Sequence, residues 1–435
     1  MSASLKRQLG FWDSVAINIG IVIGVGIFRV PAEVAKYVHS PEWMLTAWVL
    51  GGVISLTGVL CYAELSSLFP RTGGTYVYLR EAYGPRVSFL FGWMEFAVLR
   101  AGSLAGIAYV FAAYLKNFIS FGPETEKAIA IAAIAAFTLL NICGLHYGTR
   151  VQNVLSVLKV LTLLGISSTI LLLKREGLIL SAAQTAAPVR DHWFYLAPAL
   201  IPVLWGYGGW NESTFMSGEF KDTRKALPIS LITSIVIITS LYVLINIAYL
   251  SVLTPGAMRE TKSIASEIFY ALFGNPGRLL ISAAVLISAS GALNSYILTG
   301  ARIPFAVAQD STRLSWLGRV HNTLGTPVQA FLVNGGWAIL LILWGNFEEL
   351  LFFTGFAKWF FFTLAGASVF ILRRKHKGDG SFRMPGYPFV PVFFTAFAFT
   401  LFITTIVNEP RAALLGAMLL MLGLPIYSLL HQKPK

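Results

Sequence analysis

The chain has 435 residues, 56% hydrophobic and 12% charged, with a mean hydropathy of +0.69 and a formal net charge of +13. An average soluble domain carries about 25% charged residues, and a soluble fold of this size needs far more polar surface than this composition supplies. A soluble enzyme, a nucleic-acid-binding domain and a disordered scaffold are therefore excluded, and so is a β-barrel, because the apolar runs are roughly 18 residues or longer rather than alternating strands of about ten.

Twelve membrane spans are predicted, at 11–38, 43–69, 86–117, 126–145, 150–173, 194–219, 227–253, 276–308, 327–345, 347–372, 387–407 and 411–431. Residues 1–10 are short and polar and read as a cytoplasmic N-terminus. They are not a signal peptide, because the apolar segment that follows is too long and leads into a multispan chain. Twelve spans put both termini on one side. That side carries 19 of the 33 basic residues and the other side 10, which places both termini in the cytoplasm of a plasma-membrane protein. Cys61 and Cys143 lie in apolar runs, too few for a disulfide framework or a zinc site, and the six histidines show no HExxH spacing. No cofactor or metal is expected. The fold class is an all-α polytopic membrane protein with the lipid bilayer, not nucleic acid, as its partner.

The first span opens at Asp13, which reads as a helix N-cap, and carries Gly20, Gly24 and Gly26 in INIGIVIGVGIF. In the third span Glu95 and Arg100 are five apart, off the shared face of an i,i+4 pair, so Arg100 is expected to find carbonyls or a carboxylate on a neighbouring helix. Gly102 and Gly106 there read as small-xxx-small packing. Lys159, in the fifth span, follows Arg150 by nine residues. That is about 14 Å of helix, too deep for its stem to snorkel to water. The sixth span carries Gly206, Gly208 and Gly209 in WGYGGWNES. Beyond the seventh, Glu260–Phe273 alternates like a short amphipathic helix, and Ser315–Asn322 reads as a short surface helix. The run Arg373–Lys377 is either a topology signal or a site for anionic lipid heads.

The two glycine clusters ask for a reason. Each glycine costs a helix about 1 kcal/mol relative to alanine, and unpaired backbone groups in hydrocarbon cost several kcal/mol more unless they line a cavity. Close helix packing explains Gly20 and Gly24 alone; dinucleotide binding fails because no strand precedes the glycines. The offsets correspond: Gly24 lies 13 residues after Phe11, and Gly208 lies 14 after Phe194. Two five-span halves, 11–173 and 194–372, would then each begin with an interrupted helix, followed by two additional C-terminal helices over 387–431. Interrupted helices at matching places in two halves mark the binding site of a secondary transporter. Half-helix N-termini offer N–H groups to an anion, and unwound carbonyls offer acceptors to a cation. An α-amino acid carries both groups on adjacent atoms.

Four stretches resemble a known superfamily, the amino acid–polyamine–organocation transporters. GVGIFRVP (24–31) resembles its first-span motif and YAELSSLFPRTGGTYVYLREAYGP (62–85) its longest one. YGGWNESTFMSGEFKDTRKALP (207–228) is similar to the sixth span of the L-type amino acid transporter branch, and SASGALNSYILTGARIPFAVAQD (288–310) to the eighth span. The resemblance implies a five-plus-five inverted-repeat fold with broken helices 1 and 6. It implies that a substrate carboxylate meets backbone N–H groups at Val25, Gly26 and Ile27, next to Gly24. The amino group would meet carbonyls near Val22 and Ile23 and around Trp205, Gly206, Tyr207, Gly208 and Gly209. Trp205 stands where related transporters place an aromatic gate. Lys159 matches a fifth-span lysine that takes the place of a sodium ion, pairing with first-span carbonyls and with hydroxyls such as Ser288. Glu260–Phe273 is similar to the extracellular lid. Two features depart from the pattern. Val25 replaces a small polar residue, and the loop 117–126 lacks the cysteine that links animal members to a heavy chain, so no disulfide-linked heavy chain is expected.

The reading is a sodium-independent secondary transporter of neutral L-amino acids, an antiporter working by alternating access. The alternatives are a proton-coupled amino acid symporter, since a desolvated Lys159 can also titrate, and an amine or polyamine transporter, which would want acidic residues in the pocket. Glu64, Arg71, Arg80 and Glu81, with Glu219 and Lys221, are expected near the cytoplasmic mouth, as either a gating or a static network. A channel would show rings of polar residues and an intramembrane hydrolase a nucleophile with its base; neither pattern is present.

Overall fold

The structure, a computed structural model, describes residues 5–173, 193–261, 263–344, 347–376 and 382–431. Among them there is no strand; one isolated parallel bridge joins Leu9 to Phe220. The chain runs as α1 (Phe11–Val22), α2 (Val30–Val34), α3 (Pro41–Leu68), α4 (Thr75–Tyr83), α5 (Pro85–Met94), α6 (Ala101–Leu115), α7 (Pro123–Ile142) and α8 (Leu145–Leu172), then α9 (Leu196–Gly206) and α10 (Ala226–Leu250). There follow α11 (Pro255–Arg259), α12 (Ile264–Phe273), α13 (Asn275–Gly300), α14 (Arg302–Ala308), α15 (Val328–Trp344), α16 (Phe347–Lys375), α17 (Phe389–Asn408) and α18 (Pro410–His431).

Helix starts follow local chemistry. Proline occupies the first turn of α3, α5 and α7, where its missing N–H costs nothing. The Ser40 hydroxyl accepts the Trp43 N–H ahead of α3. Nine helical stretches among the described residues are long and apolar enough to cross a membrane; α5 with α6, and α13 with α14, count as one stretch each. Of the other predicted spans, the first and sixth are interrupted, and α15 is 17 residues long.

α1 runs through the middle of the molecule, packed by α8, α10 and α13. Gly20 permits this: a Cβ there would lie 1.8 Å from Gln152 Nε2 and 2.8 Å from Ser295 Oγ. One core surrounds α1, α3, α9 and α10, and a second lies between α6, α7, α13 and α15.

Local readings are corrected at two points. Asp13 is not the N-cap of α1; Gly10 is, and Asp13 sits three residues in, where its Oδ2 accepts the Gly10 N–H at 2.8 Å. Glu95 and Arg100 do share a face, because residues Glu95–Arg100 form a turn of π-helix with i→i+5 spacing. The amphipathic loop segment forms α12, and Ser315–Gly318 forms one 3₁₀ turn.

Candidate functional site

The first break follows Val22. Ile23 leaves helical geometry at φ −77°, ψ 72°, Gly24 is extended, and Val25–Phe28 form a 3₁₀ turn before α2. The N–H groups of Val25, Gly26 and Ile27 precede that turn's internal bond, and no backbone carbonyl outside the turn receives them among the described residues. They stand at the start of the turn, in mid-span.

On the other side of the break, the last carbonyls of α1 have found partners. Lys159 Nζ donates to Gly20 O at 2.5 Å, Ser288 Oγ donates to Ile23 O at 2.9 Å, and Tyr242 Oη lies 2.6 Å from Val22 O. Lys159 is buried and places its amino group at the carbonyl end of α1. It shares a face of α8 with Gln152 and Ser156, whose side chains both donate to Ala16 O, one turn earlier in α1. Opposite, Gly291 of α13 leaves room for the ammonium: a Cβ there would stand 2.6 Å from Lys159 Cε. Ser288 thus braces the same break on a different carbonyl from Lys159.

The second break follows Gly206. Gly209, at φ +109°, brings this segment against α1, so that a Cβ on it would lie 2.2 Å from Ile21 Cγ2. The chain then continues as a 3₁₀ stretch, Glu212–Glu219. Tyr242 Oη also lies 3.1 Å from Gly206 O and so ties the two breaks together. Trp205 lies over the first break, its Cζ3 3.2 Å from a Cβ built on Gly26, and it remains 67% exposed. Gly24, Val25, Gly26 and Gly208 are half-buried, whereas Val22, Ile23, Ile27, Gly206, Tyr207, Gly209 and Ser288 are buried. The residues named from sequence thus come together from four spans. Tyr242 was missed; its signal is a tyrosine in mid-span, whose hydroxyl must reach a polar partner.

Next to the second break lies a charged cluster. Arg100, 1% exposed, donates from Nη1 to Glu212 Oε2 at 2.8 Å and to Thr299 Oγ1 at 3.0 Å, and packs on the faces of Phe215 and Tyr296. Glu95 stands 3.5 Å from Arg100 Nη2. Lys358 reaches in from α16, its Nζ 2.5 Å from a Cβ built on Gly208.

The segment before α1 is tied to the end of the second interruption. Glu219 O accepts the N–H groups of Gln8 and Leu9, and Lys221 N–H returns to Leu9 O. The Glu219 carboxylate takes Arg302 Nε at 2.9 Å and Nη2 at 2.7 Å, with both side chains buried. The residues expected at the cytoplasmic mouth form three groups: Glu64 pairs with Arg373, Glu219 pairs with Arg302, and Arg71, Glu81, Arg80 and Asp310 form a chain in which Arg80 also stands 4.0 Å from Glu81. No group of side chains suited to a metal ion occurs among the described residues.

An all-helical chain with nine membrane-length apolar stretches among its described residues is an integral membrane protein, and two interrupted helices meet at its centre. The comparisons agree. The amino acid permease family matches over residues 9–425. The serine/threonine exchanger SteT of Bacillus subtilis (strain 168) is 30% identical over 429 residues, covering 97% of this chain and 96% of that protein. The b(0,+)-type amino acid transporter 1 of Mus musculus is 27% identical, with 98% and 88% covered. The Asc-type amino acid transporter 1 of Homo sapiens is also 27% identical, with 99% and 84% covered. The chain belongs to the amino acid permease family, as a bacterial-type member of the L-type branch of the amino acid–polyamine–organocation superfamily. It is an amino acid transporter of the membrane rather than an enzyme.

Proposed function

We propose that the chain is a sodium-independent exchanger of small neutral L-amino acids, working by alternating access in the plasma membrane. It has twelve spans, cytoplasmic termini, two inverted halves at 11–173 and 194–372, and two further helices at 387–431. The observation that carries this reading is the meeting at the first break of a turn that begins with the N–H groups of Val25, Gly26 and Ile27 and a lysine ammonium seated on Gly20 O. The donors suit an α-carboxylate, which amines and polyamines lack. The ammonium occupies the place a sodium ion would take. The exposed Trp205 above a tied terminal segment fits a carrier open to the outside. SteT, whose name records serine/threonine exchange, supports small substrates and exchange.

The test is counterflow in proteoliposomes made with the purified single chain and loaded with labelled alanine. External alanine or serine should accelerate release of internal label, and choline in place of sodium should leave the rate unchanged. Equal efflux with and without external amino acid would remove the exchange reading in favour of proton coupling. The single chain should suffice, given a loop at 117–126 without cysteine; activity that appears only with a second membrane protein would contradict this.

Selectivity should rest on bulk around the backbone site. Added volume in a closed pocket costs roughly 1–3 kcal/mol, or about tenfold in acceptance. Trp205→Ala should therefore admit larger side chains and slow exchange through poorer closure. An unchanged substrate ranking in that variant, measured by competition against labelled alanine, would take Trp205 out of the pocket.

A further inference from the structure

Two charged groups beside the second break have unused hydrogen-bonding capacity. The Lys358 ammonium forms no hydrogen bond or ion pair among the described residues; its recorded contact is the face of Phe362, 5.9 Å from the ring centre. Its Nζ lies against Gly208, which is itself half-buried in the interruption. Glu95 is 16% exposed although it sits in the middle of a span, and it receives no hydrogen bond among the described residues. Its ion-pair partner Arg100 is already engaged, through Nη1, by Glu212 and Thr299. α16, which carries Lys358, packs against the π turn that carries Glu95. The half-buried Tyr296 ring lies under Arg100, and the half-buried Gly208 lies beside Lys358. An ammonium and a carboxylate in a bilayer are tolerated where they line an accessible cavity. Here the Lys358 ammonium stands at Gly208, beside the backbone groups that would hold an amino acid.

We propose that Lys358 and Glu95 form the subsite for the substrate side chain and select α-amino acids bearing a hydroxyl or a carboxamide. Such a group accepts from the Lys358 ammonium and donates to the Glu95 carboxylate in one position. It adds no charge to a cluster in which Glu95 and Glu212 already balance Arg100 and Lys358. An aliphatic side chain satisfies neither group and leaves both desolvated. A carboxylate side chain meets Glu95 and a cationic one meets Lys358, so both are disfavoured. The proposal rests on the amino acid transport reading above and adds to it the class of side chain.

The experiment compares threonine with valine, which differ by a hydroxyl for a methyl. Both are measured on the purified full-length chain, by competition with alanine counterflow in liposomes and by thermal shift in detergent. Hydrogen bonds to two charged groups should give the wild type a threonine preference of about tenfold or more. In Lys358→Met and in Glu95→Met the ratio should fall toward one, and Lys358→Gln, which keeps a donor, should retain part of it. A wild-type ratio near one, or a ratio unchanged in Lys358→Met, overturns the proposal. So does equal loss of both amino acids in all three variants, which would assign the pair to closure rather than selection. Absence of alanine counterflow in the wild type strikes the exchange reading, while the thermal-shift ratio still decides this one.

Discussion

Lys159→Ala should cut exchange by roughly ten- to a hundredfold while leaving a folded protein. The ammonium is the cation that satisfies Gly20 O at the end of α1. A hydrogen bond to a charged group contributes about 1.5–3 kcal/mol, and each 1.4 kcal/mol is about tenfold in a rate or an equilibrium. Without it the helix end frays where the N–H groups of Val25, Gly26 and Ile27 must be held in place. The check is initial-rate counterflow normalised to folded protein. Gly291→Leu should reproduce the defect without touching the lysine, because its side chain would occupy the volume of Lys159 Cε and Nζ. Wild-type rates in Lys159→Ala would show that the carbonyl edge of α1 stands without a cation. Recovery of the variant by sodium, absent in the wild type, would be direct support for the lysine as its substitute.

Arg302→Met should be the most destabilising single change on the terminal side. Its guanidinium forms a two-pronged pair with Glu219, donates from Nη1 to Leu298 O at 2.6 Å and stacks on Phe331. Breaking a buried pair by removing one partner costs about 3–5 kcal/mol, because the other charge is left buried and uncompensated. The backbone of Glu219 also holds Gln8 and Leu9. Loosening it therefore frees the segment that precedes α1. The melting temperature in detergent should drop, and a cysteine placed at Gln8 should become accessible to a water-soluble thiol reagent from the terminal side. The double variant Arg302→Met/Glu219→Met should recover much of the stability, since no unpaired charge then remains. If the double variant melts no higher than the single one, the pair contributes through geometry rather than charge.

How far the sequence reaches can be read from particular residues. The apolar runs are legible because hydrocarbon demands about 20 such residues per crossing, and Pro41, Pro85 and Pro123 mark helix starts because proline suits only the first turn. The breaks near Gly24 and Gly208 are legible because nothing else justifies clustered glycines in mid-span. Lys159 stands out because a mid-bilayer ammonium needs a partner. The partner itself is another matter. Gly20 O, Gly291 and Tyr242 lie on three other helices, and their meeting depends on how α1, α8, α10 and α13 pack. The expected charge network shows the same limit: Glu64 and Arg373 are 309 positions apart, and Glu219 and Arg302 are 83. Side chains of one charge are interchangeable in a sequence, and only tertiary proximity assigns each acid its base. The π turn at Glu95–Arg100 is subtler still. One inserted residue shifts the i,i+5 pair onto one face, and the composition around it is that of an ordinary helix. Periodicity and the cost of polar groups in lipid act locally, so they are written in the chain; pairing acts across helices, so it exists only once they are packed.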